Sequence, residues 1–155
     1  MTAVEEIKIV KMSEQDIPDL VKIEKQCFSV PWSENSFKTA FKDSYSQFFV
    51  AKTQLTGCLT GFCGMYVAAK TEGYVYNIAV IPEYRKRGIG TELMKTLLEY
   101  SDKNKLEFLS LEVRESNHTA ISVYKNLGFE KVGVRRNFYE SPTENAVIMT
   151  YYFNR

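Results

Sequence analysis

The sequence predicts a mixed α/β domain, a mostly antiparallel sheet of about seven strands flanked by about four helices, with residues 1–155 forming one unit. Three observations carry this. A chain of 155 residues, 45% hydrophobic and 25% charged, has the length and composition of one domain with one core. Between residues 47 and 80, three strand-like segments are separated by turn signals, and the last of them alternates with period two, which reads as an antiparallel meander. From Tyr74 to Val113 a strand, a long helical stretch and a second strand follow one another, and a crossover of that length joins parallel neighbours in a right-handed sense.

Ile7 to Met12 reads as the first strand, and Ser13 with Asp16 as a helix-entry pair. Ile17, Leu20, Val21 and Cys27 recur at helical spacing, and Pro18 sits in the first turn where its missing N–H costs nothing, so a helix runs from about Asp16 to Gln26. Phe28-Ser29-Val30-Pro31-Trp32 breaks it. Ser33 caps a second short helix that ends near Asp43, with Phe37, Ala40 and Phe41 on one face. Strands follow over Gln47–Lys52 and Leu59–Ala69, joined by a turn at Thr56-Gly57, and Thr71-Glu72-Gly73 turns the chain into the central strand, Tyr74–Val80. Strict alternation there places Tyr74, Tyr76, Ile78 and Val80 on one face and Val75, Asn77 and Ala79 on the other. Pro82 stops the strand. A helix from Gly88 to about Lys103 turns Ile89, Leu93, Leu97 and Tyr100 toward the sheet, and Phe108–Val113 returns as a strand. Asn117 caps a helix that Gly128 ends, and strands over about Val132–Tyr139 and Asn145–Phe153 close the sheet.

The totals exclude several partners. Twenty basic and nineteen acidic residues leave a net charge of +1, which gives no long-range attraction to nucleic acid or an anionic membrane. No apolar run is long enough to span a bilayer, and the N-terminus lacks the basic-then-apolar order of a signal peptide, so a cytoplasmic location is expected. Cys27, Cys58 and Cys63 cannot all pair and have no partners at zinc-ligand spacing, so they read as reduced, mostly buried thiols and no metal is expected. If Cys58 and Cys63 share a strand, their odd separation puts them on opposite faces.

The central strand leads into Arg85-Lys86-Arg87-Gly88-Ile89-Gly90 and then a helix. Two glycines at a helix mouth let backbone N–H groups approach a ligand, and the unpaired donors and positive dipole end of the helix favour an anion such as pyrophosphate. The loop is not a Walker A motif, because no Gly-Lys-Ser/Thr follows. The dinucleotide fingerprint also fails, since Leu93 stands where its third glycine belongs. The cations Arg85, Lys86 and Arg87 would stand beside a bound diphosphate.

Arg85-x-x-Gly88-x-Gly90, after a strand ending Asn77-Ile78-Ala79-Val80, resembles the acetyl-coenzyme A motif of GNAT N-acetyltransferases. Leu111-Glu112-Val113-Arg114-Glu115-Ser116-Asn117, Ala120 to Phe129, Phe28 to Ser33 and Arg136-Asn137-Phe138-Tyr139 resemble segments of the RimI-type protein N-terminal acetyltransferases, so the match spans nearly the whole chain in order. The resemblance implies the GNAT fold, with the central strand splayed from the Phe108–Val113 strand. It implies that the pantetheine arm of acetyl-coenzyme A runs along Ile78, Ala79 and Val80, with the pyrophosphate on Lys86, Arg87, Gly88, Ile89, Gly90 and Thr91 and with Arg85 beside it. Asn117 is implied as a further cofactor contact. It also implies Glu112 as general base, Tyr124 as general acid near the cofactor sulfur, and Phe28, Trp32 and Tyr139 as walls of the acceptor groove. From the residues alone, Glu112 reads equally as a solvent-facing strand carboxylate, Tyr124 as a core tyrosine, and Trp32 as part of a plug between helices. His118, the one histidine, reads as a first-turn surface residue.

The implied reaction is direct acetyl transfer to the α-amino group of a protein, with no acetyl-enzyme, since none of the cysteines sits in a motif position. An α-amine titrates near 8 and a lysine amine near 10.4, which favours the N-terminus as acceptor. An ordinary carboxylate is a weak base toward an ammonium, so the glutamate needs burial or a relaying water. The acceptor is expected to be either a ribosomal protein or a range of nascent chains, and the enzyme a monomer or weak homo-oligomer. Two rivals stay open: a GNAT enzyme acting on lysine side chains or a small amine, and a cofactor-binding module without chemistry.

Overall fold

The computed structural model describes residues 5–154. Strand β1 (Ile7–Lys11) leads through a short 3₁₀ turn, Glu14–Asp16, into α1 (Ile17–Cys27). The Ser13 N–H donates to Asp16 Oδ2 at 2.9 Å and satisfies the entry pair, while Pro18 occupies the first turn. Helix α2 (Glu34–Lys42) begins where the Ser33 hydroxyl accepts from the Ser36 N–H at 3.1 Å. The meander is β2 (Ser46–Thr53), β3 (Leu59–Ala68) and β4 (Glu72–Val80). Helix α3 (Ile89–Lys103), β5 (Phe108–Arg114), α4 (His118–Leu127), β6 (Glu130–Tyr139) and β7 (Glu144–Tyr152) complete the chain.

The seven strands form one sheet in the order β1-β2-β3-β4-β5-β7-β6, antiparallel except for the β4–β5 pair. The last strand lies inside the edge, because β7 pairs with both β5 and β6. Two cores sandwich the sheet. One gathers Ile89, Leu93, Met94 and Leu97 of α3 with Leu109, Leu111 and Val113 of β5 and Tyr124 of α4. The other gathers Ile17, Leu20 and Ile23 of α1 and Phe37 of α2 over Phe48, Val50 and Phe62. Phe37, Phe62, Leu20 and Leu97 are fully buried, each contributing about 2 kcal/mol by removal from water.

Three local expectations are corrected. The turn before the central strand lies at Ala69 and Lys70, which adopt φ of 49° and 67°, and β4 already begins at Glu72. Gly73 therefore serves a close approach rather than a turn, since a Cβ there would stand 3.0 Å from both Leu106 Cδ1 and the Phe108 carbonyl oxygen. The alternation on β4 is broken as well. Gly64 pairs with Asn77 and Met65 with Val75, so Tyr76 is an extra residue, and Tyr76 and Asn77 follow one another on the face under α1 and α2. Val75, Ile78 and Val80 pack against the α3 core instead. Finally, Cys58 precedes β3 and is exposed, whereas Cys63 is buried within it.

Candidate active site

The parallel ladder between β4 and β5 extends only from Glu72–Tyr74 against Phe108–Ser110. Beyond it β4 stays with β3 and β5 stays with β7, so Val75–Val80 and Leu111–Arg114 face each other across an open cleft. The bulge at Tyr76 lies where the two strands part. Two cavities, of about 490 and 540 Å³, share Val75, Tyr76, Leu111, Glu112, Phe138 and Tyr139 as walls. The first spreads over Tyr66, Tyr74 and Phe108, and the second reaches Glu24, Asn117 and Tyr124. Glu112 stands where they meet.

Glu112 pairs with Ile148 in the sheet and its side chain is 29% exposed, ion-paired with Arg135, whose Nε lies 3.2 Å from Oε1. Phenols surround it. Burial pushes Tyr139 up to about 12, aided by the Glu112 charge, and burial likewise pushes Tyr124 up to about 12. Tyr66 is raised by burial first, then by Tyr76 and Glu112. The phenols keep their protons at neutral pH, and the carboxylate is the acceptor among them.

Arg114, two residues along β5, fastens the rim. Its guanidinium donates to the carbonyls of Pro142 and Glu140, both at 2.9 Å, reaches Glu144 Oε1 at 3.3 Å and Ser29 Oγ at 3.5 Å, and lies 4.5 Å over the Tyr139 ring. One side chain thus ties the loop after α1 to the loop between β6 and β7.

At the other end of the cleft, Gly88 precedes α3 with φ of +81°. A Cβ there would meet nothing within 4 Å, so the left-handed backbone, not crowding, calls for glycine. No side chain caps the first turn of α3, and residues Arg85 to Gly88 are exposed, which leaves backbone donors open to an anion.

The sequence model of the Acetyltransferase (GNAT) family matches residues 17–129. The chain belongs to the GNAT acetyltransferase family. A ribosomal protein bS18-alanine N-acetyltransferase of Escherichia coli (strain K12) is 35% identical over 136 residues, which cover 86% of this chain and 89% of that protein. One from Haemophilus influenzae is 33% identical over 88% of this chain and 92% of its own length. The crystal structure of the ribosomal-protein-S18-alanine N-acetyltransferase from Escherichia coli superposes with a TM-score of 0.87 at 32% identity, over 97% of this chain and 96% of that one. Arabidopsis thaliana NAA60 in complex with acetyl-CoA has a TM-score of 0.87 at 20% identity over 97% and 100%, a likeness of fold.

In this GNAT enzyme the residues expected to meet acetyl-coenzyme A do not all present side chains to the cleft. Ile89 is buried, and Ile78 and Val80 pack on the α3 core, so from Ile78 to Val80 the backbone is what faces the gap. Arg85, though exposed, folds back along the end of β4: its Nε donates to the Val80 carbonyl at 3.0 Å and its Nη2 lies 3.5 Å from Cys27 Sγ. Arg87 lies 4.7 Å over the Tyr84 ring, and Lys86 stays exposed with φ of 63°. Asn117 Oδ1 accepts the Ala120 N–H at 3.2 Å, and the residue lines the second cavity. Thr91 is half-buried in the first turn of α3.

Phe28 and Trp32 both line the second cavity, yet the Trp32 ring is also packed 5.1 Å from Phe37 and 5.0 Å from Tyr76, so it is wall and plug at once. His118 is exposed and lines neither cavity. Sequence reasoning missed Glu24. It is buried, its Oε1 accepts the Trp32 N–H at 3.2 Å and its Oε2 accepts Asn77 Nδ2 at 3.0 Å, and burial pushes its carboxyl up to about 6. Its signal was a charged residue on the apolar stripe of α1, three to four positions from Leu20, Val21 and Cys27. Arg114 and Arg135 carry no such signal, since a strand arginine reads as a solvated side chain until its partners are known.

Proposed function

We propose that this GNAT acetyltransferase transfers the acetyl group of acetyl-coenzyme A to the α-amino group of a protein N-terminus. Residues 1–155 act as one catalytic domain, with a ribosomal protein or nascent chain as acceptor. The relatives named for N-terminal alanine acetylation support the acceptor class. The observation that carries the chemistry is the place of Glu112, at the junction of two cavities where β4 and β5 part, with the proton-holding Tyr124 on one side.

The residues present fit acetyl-coenzyme A. The uncapped N-terminus of the 15-residue α3, the open left-handed glycine and exposed Lys86 suit a diphosphate, and the unpaired edge of β4 suits an extended amide-bearing arm. When bound, that group supplies an activated acetyl thioester. Glu112 accepts the proton of the incoming ammonium, directly or through a water, at an oxygen now held by Arg135. Tyr124, kept protonated by burial, holds a hydroxyl proton for the departing sulfur. Phe28, Trp32 and Tyr139 wall the amine's side, with Tyr139 fixed by Arg114. Among the described residues no helix is long and apolar enough to cross a membrane.

A panel of short peptides with free and with blocked N-termini, assayed for coenzyme A release, tests this. Release is expected only with a free N-terminus. Equal release from an N-blocked, lysine-bearing peptide would refute it.

A further inference from the structure

Two arginines of the cleft rim behave in opposite ways. Arg114 is tied to Pro142, Glu140 and Glu144 and lies over Tyr139, so it is fixed in place. Arg135 makes one ion pair among the described residues, through Nε to Glu112 Oε1 at 3.2 Å, and its side chain is 59% exposed. It stands on β6 opposite Ala146, at the last regular pair before the strand buckles toward Tyr139, with Asn137 at φ of 53°. The buckle ends the regular pairing beside Arg135, and its guanidinium lies over the Glu112 carboxylate. Its charge is felt by Tyr66 and Tyr74 across the first cavity.

We propose that Arg135 is a placeholder cation, occupying the Glu112 carboxylate until the α-ammonium of the acceptor displaces it, and reclaiming that carboxylate once acetylation has removed the ammonium's charge. This positioning role rests on the N-terminal acetylation reading. Glu112 sits on the floor of a trough walled by phenols that hold their protons, so the carboxylate's available counter-charge inside the trough is Arg135 on one side and the substrate on the other. A half-exposed pair is weak enough to exchange quickly. The ammonium is compact and can reach an oxygen that a guanidinium covers from the rim, whereas the acetylated product, an uncharged amide, has no claim on the carboxylate. Substrate and product are thereby told apart by charge at one oxygen. The cost is that every acceptor competes with a tethered arginine.

The test compares Arg135→Gln, Arg135→Lys and the wild-type enzyme against two ligands of one sequence: a short peptide with a free N-terminal alanine, and the same peptide already N-acetylated. Binding of both is measured by titration in the presence of coenzyme A, with KM for the free peptide and for acetyl-coenzyme A from initial rates. Arg135→Gln is expected to bind the free-amine peptide about two- to fivefold more tightly, and to lower its KM alike, with the acetylated peptide and acetyl-coenzyme A unchanged. Arg135→Lys should stay close to wild type. Equal shifts for the two peptides, or weaker binding of the free amine by Arg135→Gln, would overturn the proposal and make Arg135 an ordinary peptide contact. An unchanged ratio between the peptides overturns it as well. If instead the wild-type enzyme acetylates no free N-terminus, the functional reading itself has failed, which is visible before any variant is made.

Discussion

Replacing Glu112 by glutamine keeps the side chain's shape and its place between the cavities, and removes the one carboxylate at their junction. The fold should tolerate it, because the ion pair lost is to an Arg135 side chain that is 59% exposed, worth at most about 1 kcal/mol. Loss of a positioned base lowers kcat by about 10²–10⁴-fold at neutral pH. Part of the deficit returns as pH rises, with a sign and size that follow from the acceptor. An α-ammonium titrates near 8, so about a tenth is neutral at pH 7 and most at pH 9, which recovers up to about tenfold. Tyr124 and Tyr139, both pushed up to about 12, stay protonated across that window and add no break of their own. Initial rates of coenzyme A release from about pH 6 to about pH 9 are the assay, with acetyl-coenzyme A affinity and thermal melting measured alongside. A variant with near-wild-type kcat throughout refutes Glu112 as the base.

Gly88→Asp places a Cβ at φ of +81° and a negative charge at the mouth of α3, so acetyl-coenzyme A affinity should fall at least about tenfold by calorimetry while the melting temperature drops only modestly. Arg114→Ala frees the two loops and the Tyr139 ring, so the peptide KM should rise with that for acetyl-coenzyme A little changed, and stability should fall by about 1–3 kcal/mol in denaturant unfolding. Glu24 has a folded pKa of about 6 against an ordinary 4.5, so the native state binds the extra proton between these values. Stability therefore declines as pH rises through that window, by up to about 2 kcal/mol. Glu24→Gln should abolish that slope, because an amide does not titrate, while its NH2 replaces one of the two oxygens that accept from Trp32 N–H and Asn77 Nδ2, so the stability lost is the same at every pH.

Most elements were legible because caps, breakers and periods agree with one another: Ser33, Asn117, Gly128 and Pro18 all do the work their positions suggest. The errors cluster where backbone regularity fails. Tyr76 is an extra residue in β4, and a period-two template cannot register an insertion that depends on the partner strand. Gly73 reads as a turn residue in the sequence because its real constraint, the approach of Leu106 and Phe108, comes from residues more than thirty positions away. The site shows the same division. Glu112, Tyr124 and the glycine loop are candidates because they stand in motif segments, whereas Arg114, Arg135 and Glu24 come into view only through partners on other elements. The hydrogen bond that folds Arg85 back onto the Val80 carbonyl likewise depends on where β4 ends in space.

The most direct measurement uses one peptide carrying two amines, a free N-terminus and an internal lysine, incubated with acetyl-coenzyme A and fragmented by mass spectrometry. Unassisted chemistry at neutral pH already favours the α-amine by about 10²-fold in its neutral fraction. The comparison is therefore made again near pH 10, where that bias largely disappears. Acetyl found on the N-terminus at both pH values is the predicted result. Acetyl shifting to lysine near pH 10 at an enzyme-dependent rate would contradict an active site built for the protein N-terminus.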